Sequence, residues 1–194
     1  MVTEEFKKIA VSFAGGDGGN PKSEVWFCGL EWGIGDESSP DDFYEKFSLS
    51  PKLIPHSWVE DDFDGSWTTQ YNRKICWFLW YYYNLDWKNG ESAEHFVKTY
   101  DVLYPQGIGF KLNMLPINFK NRSSIKWNEQ FIKMTGFETF NEYREWCVEN
   151  RGAFYRQLID ECHPKVIICT GVTEKDNFFK IGRASCRERV SSPV

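Results

Sequence analysis

Basic charge is what this 194-residue chain is short of: 23 Lys and Arg stand against 28 Asp and Glu, a net charge of −5. Phosphate binding is driven by Lys and Arg, so the overall balance gives no help to a nucleic-acid reading. Histidine is scarce, with three in the chain. The six Cys form no Cys-x-x-Cys pair and show no metal-ligand spacing with those His, which argues against zinc. Cys28, Cys76, Cys147 and Cys169 lie in apolar or amphipathic context and read as buried thiols in a reducing cytoplasm, not disulfides. There is no secretory signal and no apolar run long enough to span a bilayer. A cytoplasmic protein without a membrane partner, a metal or a cofactor is expected. Internal repeats and low-complexity segments are also missing.

Aromatic rings, by contrast, are in excess. They make up 18% of the chain and include nine Trp, more than a core of this size requires. Some rings are therefore expected on surfaces that bind something. The length suits one α/β domain. Residues 3–14 place Phe6, Ile9, Ala10 and Phe13 on one helical face behind Thr3 as N-cap. After a glycine-rich turn comes Val25-Trp26-Phe27-Cys28-Gly29-Leu30. This run is too short for an independent helix and rich in β-branched and aromatic residues, so it reads as a strand buried on both faces. Residues 40–47 predict a short helix capped by Ser39. Residues 48–67, with Pro51, Pro55 and a cluster of acids, predict a long loop of the kind that is often functional.

Residues 68–85 contain Trp77-Phe78-Leu79-Trp80-Tyr81-Tyr82-Tyr83 and predict a helix buried between neighbours. Core is the commoner use of such a run, ahead of a ring platform for nucleic acid. A second amphipathic helix over residues 92–104 precedes a strand over 109–116. Helices over 128–134 and 139–162 precede a third buried strand over 165–171, with His163 at the C-terminal end of the last helix. Helices between strands imply a parallel sheet with right-handed crossovers. The expected fold is α/β, a three-layer α/β/α sandwich around a short, mostly parallel sheet, and a monomer.

Chemistry is expected at the carboxyl ends of the strands, where open parallel sheets bind ligands in a crevice. Glu31 arrives there within Gly29-Leu30-Glu31-Trp32-Gly33, between glycines whose backbone N–H groups can approach a ligand. The same residues read equally well as a strand, a loop and a solvated Glu. Asn113 ends the second strand and stands beside the Glu31 loop if the two strands are parallel neighbours. Taken alone, it reads more readily as a strand-end residue capping backbone groups. Phe119-Lys120-Asn121-Arg122-Ser123-Ser124-Ile125-Lys126-Trp127 is the one basic patch with an interleaved ring. Lys120, Arg122 and Lys126 can reach phosphates there, although an ordinary solvated loop is the commoner case.

Ile181-Gly182-Arg183-Ala184-Ser185-Cys186-Arg187-Glu188-Arg189-Val190 resembles the conceptual translation of a widely used sequencing-library adapter, residue for residue. It is set aside as a fusion scar would be. One domain is then expected over residues 1–180 and an artefactual tail over 181–194. Without that tail's three Arg and one Glu, the net charge moves from −5 to −7. The reading frame is expected to break off near Lys180, leaving a last strand and its loop missing.

Three segments, in order, resemble the uracil-DNA glycosylase superfamily. Gly29-Leu30-Glu31-Trp32-Gly33 is similar to that family's first motif, a glycine followed by a catalytic Asp, Asn or Glu loop. Lys111-Leu112-Asn113-Met114-Leu115 resembles the strand whose Asn reads the base. Residues 151–171, with Pro164-Lys165-Val166-Ile167-Ile168-Cys169-Thr170-Gly171, resemble the helix and strand that precede the last motif. The resemblance covers most of residues 25–171 through short motifs. Two features depart from it. Trp32 stands where the family usually has Pro, and the closing His-Pro-Ser type loop, source of a catalytic His, is absent. His163 cannot replace it, because it precedes the third strand and does not follow a fourth.

The resemblance implies a DNA glycosylase that flips an altered base, uracil or another, out of DNA and hydrolyses its N-glycosidic bond. Glu31 would orient the attacking water and stabilise the cationic sugar. Gly29, Leu30, Trp32 and Gly33 would line the base pocket, their backbone N–H groups taking up charge on the base oxygen. The flat amide of Asn113, one donor edge and one acceptor edge, would read a pyrimidine. Phe43 is a candidate ring to stack on the base, with Tyr44 and Phe47 as alternatives. DNA is the implied partner. A non-catalytic nucleic-acid- or nucleotide-binding module of the same fold stays open, since fold does not fix function, and net acidity and Trp32 favour it. A nucleotide- or nucleoside-handling hydrolase ranks last, because the loop lacks the Gly-rich spacing plus Lys of a P-loop.

Overall fold

The computed structural model describes residues 1–15, 18–30, 69–88, 92–117, 127–171 and 176–178. Four strands form one mixed sheet in the order β1-β3-β2-β4: β1 (Gly18–Gly19), β2 (Val25–Gly29), β3 (Phe110–Asn113) and β4 (Val166–Cys169). β2 lies between β3 and β4 and is parallel to both, whereas β1 is antiparallel to β3. Helices α1 (Glu4–Ala10), α2 (Gln70–Tyr82), α3 (Ala93–Thr99), α4 (Glu129–Thr135) and α5 (Phe140–Cys162) accompany the sheet. The fold is α/β. Its antiparallel member had no sequence signal, because two glycines carry no hydrophobic period and their pairing is fixed by the partner strand.

Local chemistry explains where the helices start and stop. Thr3, Thr69, Ser92, Asn128 and Thr139 each accept a first-turn N–H, and Thr139 with Glu142 completes a capping box. α1 stops at Ala10, short of the expected residue 14. The Ser12 hydroxyl donates to Ile9 O at 2.7 Å and accepts from Ala14 N at 3.2 Å, so a side chain takes over helix partners. His163 closes α5 in the left-handed conformation, φ 51°, and donates its N–H to Ile159 O at 2.9 Å.

Strand alternation sorts the core into two parts. Val25 and Phe27 pack with Ile75, Cys76 and Leu79 of α2 and with Phe96 and Val97 of α3. Trp26, Cys28, Phe110 and Leu112 pack with Phe6 of α1, Phe131 of α4, and Tyr143 and Tyr155 of α5. β2 is thus buried on both faces, as its apolar run predicts, and each large side chain there contributes about 1.5–3 kcal/mol of burial.

Two expectations about burial need correction. β4 is half-buried and its Cys169 exposed, because among the described residues it pairs with β2 alone and forms an edge. α2 is not buried all round. Ile75, Cys76 and Leu79 face the core, but Trp77, Trp80 and Tyr81 are 51%, 39% and 81% exposed. A run of rings conceals the 3.6-residue period, since the outward positions are as apolar as the inward ones.

The next described helices after β2, α2 and α3, pack on Val25 and Phe27, and those after β3, α4 and α5, belong to the cluster around Trp26 and Cys28. Open parallel sheets of this kind are expected to bind ligands in a crevice outside the carboxyl ends of their strands. No described helix is long and apolar enough to cross a membrane.

Candidate functional site

The position where such a sheet is expected to hold a ligand falls at Gly29 and Asn113, register partners at the ends of β2 and β3. The ladder continues beyond them, with Met114 N donating to Gly29 O at 2.9 Å and Leu115 N to Leu30 O at 2.7 Å. Asn113 therefore does stand beside the start of the Glu31 loop. A Cβ on Gly29 would lie 2.5 Å from Asn113 Oδ1, so the missing side chain is what gives the amide its place. Asn113 is 1% exposed, and neither its Oδ1 nor its Nδ2 has a hydrogen-bond partner among the described residues. An orphaned buried polar group costs about 1–3 kcal/mol. Capping of backbone groups requires bonds from this amide, and it makes none.

The backbone under Asn113 is braced from α5. Arg151 is fully buried, and Nε donates to Asn113 O at 2.7 Å. Nη1 donates to Ala10 O at 2.7 Å and Ser12 O at 3.0 Å, and Nη2 to Ala14 O at 2.6 Å. Burial lowers the guanidinium pKa, while carbonyls at the C-terminal end of α1 favour its charge. One turn further along, Tyr155 donates to Leu112 O and lies 3.5 Å from Cys28 Sγ. Burial holds its phenol well above the ordinary range, neutral and able to donate. Two residues of one helix thus grip successive carbonyls of β3.

The other side of the crevice is polar too. Lys111, on the same strand face as Asn113, is 4% exposed; its Nζ donates to Asn72 Oδ1 at 3.3 Å and sits 4.7 Å from the centre of the Tyr71 ring. Thr170 follows β4 level with Gly29. Its hydroxyl lies 3.1 Å from Tyr71 Oη and 3.4 Å from Cys28 O. Asn113, Gly29 and Thr170 span three parallel strands at one level, beside the first residues of α2. A planar ligand with both donor and acceptor groups along one edge suits this arrangement.

Of the residues singled out in the sequence, the structure brings together Gly29 and Asn113, with half-buried Leu30 next in line. Glu31, Trp32, Gly33, Phe43, Lys120, Arg122 and Lys126 lie outside the described residues, as do residues 40–47, 48–67 and 181–194. Sequence reasoning missed Tyr71, Lys111, Arg151, Tyr155 and Thr170. Two of them had left a mark: Lys111 interrupts an apolar strand, and Arg151 sits on the stripe Tyr143, Cys147, Arg151, Tyr155 that faces the core. Among the described residues no group of His, Cys, Asp and Glu is placed to hold a metal.

The five described thiols are free rather than paired in disulfides, and they differ in setting. Burial pushes Cys76 and Cys147 up to about 12 and Cys28 well above the ordinary range. Exposed Cys169, the register partner of Cys28, is instead lowered by a hydrogen bond from that thiol.

Together these features define an α/β protein with a buried amide where two parallel strands end. No family model, curated protein or solved structure matches the chain.

Proposed function

We propose that the chain is a DNA glycosylase of the uracil-DNA glycosylase type, a three-layer sandwich that acts as a monomer in the cytoplasm. One observation carries the reading: the buried amide of Asn113, without a hydrogen-bond partner among the described residues, stands in register with Gly29 at the carboxyl ends of two parallel strands. A flipped pyrimidine that presents a carbonyl and a ring N–H fills both orphaned atoms, and relieves the cost of leaving them bare. Glu31, two residues beyond Gly29, orients the water. The C1′–N bond breaks, water oxygen bonds to C1′, and a proton ends on the departing base. Phe43 stacks on the base, and Lys120, Arg122 and Lys126 hold the strand's phosphates.

The test is base release from oligonucleotides carrying uracil or cytosine. Glu31→Gln keeps the shape and loses the charge, so release falls by orders of magnitude while DNA binding survives. Asn113→Asp removes the donor and weakens release of uracil-like bases relative to cytosine-like ones. Equal rates for wild type and Glu31→Gln remove Glu31 from the mechanism, and an unchanged base preference in Asn113→Asp removes the pocket. A binding module of the same fold is the second reading, favoured by the net charge of −5. Binding of uracil-bearing DNA by wild type without any base release would select it.

A further inference from the structure

Six residues of α2 face solvent: Gln70, Arg73, Lys74, Trp77, Trp80 and Tyr81. Half are large rings, two are cations and none is acidic, in a chain whose net charge is −5. Their spacing follows one helical face. The Arg73 guanidinium accordingly lies over the Trp77 ring, 5.9 Å from its centre. Tyr81 follows Trp77 after four residues, about 6 Å along the axis. This stripe begins at the crevice. Tyr71, two residues before Arg73, meets the Thr170 hydroxyl, and Asn72 meets Lys111. It then runs toward Tyr82 and Tyr83, which contact Glu24 and Ser23 at the start of β2.

We propose that the outer face of α2 binds single-stranded nucleic acid, with unpaired bases stacking on Trp77, Trp80 and Tyr81 and phosphates meeting Arg73 and Lys74. The choice of partner rests on the glycosylase reading above. Stacking requires open base faces, which a duplex spends on its own neighbours. Two cations are too few to hold a duplex to an acidic protein by phosphate contacts alone. A second copy of the chain fits worse, because a symmetric contact through this stripe offers Arg73 and Lys74 no acidic partner.

The experiment uses the full chain and a fluorescein-labelled single strand of about 15 unmodified nucleotides. Binding is read by anisotropy and by quenching of Trp fluorescence. Trp77→Ala and Tyr81→Ala are each expected to weaken binding about five-fold or more, without change in the circular dichroism spectrum. Arg73→Gln is expected to flatten the salt dependence. The matching duplex binds more weakly. The proposal is overturned if the Trp77→Ala/Tyr81→Ala double variant binds as tightly as wild type, or if the duplex binds as tightly as the strand. It is also overturned if wild type is a dimer that these substitutions dissociate. An unmodified strand offers no base to release, so the two readings fail separately. Ring-independent binding with intact base release sinks the stripe alone. Ring-dependent binding without release from any oligonucleotide sinks the glycosylase alone.

Discussion

Helices α2 and α5 pack with alternate residues of β2 and meet water in opposite ways. The fully exposed positions of α5 include Glu142, Glu145, Glu149, Asp160 and Glu161 and no Lys or Arg. Those of α2 carry Arg73, Lys74 and three rings. The inner faces differ as well. α5 inserts a buried cation that grips carbonyls of β3 and α1, whereas α2 receives Lys111 from the strand on its Asn72. The contrast separates two jobs. α5 is a solvated brace that fixes the backbone of Asn113, and α2 is a wall whose outer side is not dressed for water alone. On the proposal above, a polyanion would be repelled from the more acidic α5 side and accepted on the α2 side.

The largest expected effect tests the brace. Arg151→Met leaves the carbonyls of Ala10, Ser12, Ala14 and Asn113 without their donor. Loss of charge-assisted bonds in a buried site should destabilise the fold by about 3–5 kcal/mol, read from the denaturant midpoint. Arg151→Lys keeps the charge without the fork and should recover only part. A loss below about 1 kcal/mol would show that α5 braces nothing.

An intermediate effect treats the two helices alike. Cys76 on α2 and Cys147 on α5 are both raised by burial from 9.0 to about 12. A raised folded pKa gives stability that is fully present below pH 9 and is lost as pH climbs toward 12. Each thiol should therefore remove on the order of 1 kcal/mol by pH 10. Unfolding measured at pH 8 and pH 10 should show a smaller difference in Cys76→Ala, and equally in Cys147→Ala. An alkaline loss that neither substitution reduces would place its origin elsewhere.

The smallest effect separates the two sides again. Tyr155→Phe removes a buried donor from Leu112 O and should cost about 1–2 kcal/mol. Tyr71→Phe removes a half-buried contact with Thr170 and should cost under about 1 kcal/mol. Thermal melts of the pair decide it, and equal costs would erase the distinction between brace and wall.

The parallel strands were legible because apolar runs between helices leave little choice. Val25 to Gly29 is buried on both faces, as its composition demands. β4 has a similar composition, Val-Ile-Ile-Cys, and is half-exposed, because a strand's place at centre or edge is decided by its partners and not by its own residues. The outward aromatic face of α2 was illegible for a related reason: Trp and Tyr satisfy a core pattern wherever they point. Asn113 could be picked out at its strand end. That its amide has no partner among the described residues is a property of everything around it, and the grip of Arg151 joins residues 38 positions apart. For Glu31 and Phe43 the sequence remains the source of their roles, since both lie outside the described residues.

The central position of β2 also has a consequence for biosynthesis. This strand is made early, but Asn113, the partner of Gly29, is made 84 residues later. Thr170, which bonds Cys28, comes 142 residues after it. At about 5–20 residues per second, a ribosome needs roughly 7–28 s to deliver that second neighbour. Until β3 is made, Val-Trp-Phe-Cys is an apolar segment with two bare edges, and until β4 is made it keeps one, the form of nascent chain prone to stick to another copy of itself. Holdase chaperones are therefore expected to matter for this protein before its helices have a completed sheet to lie on.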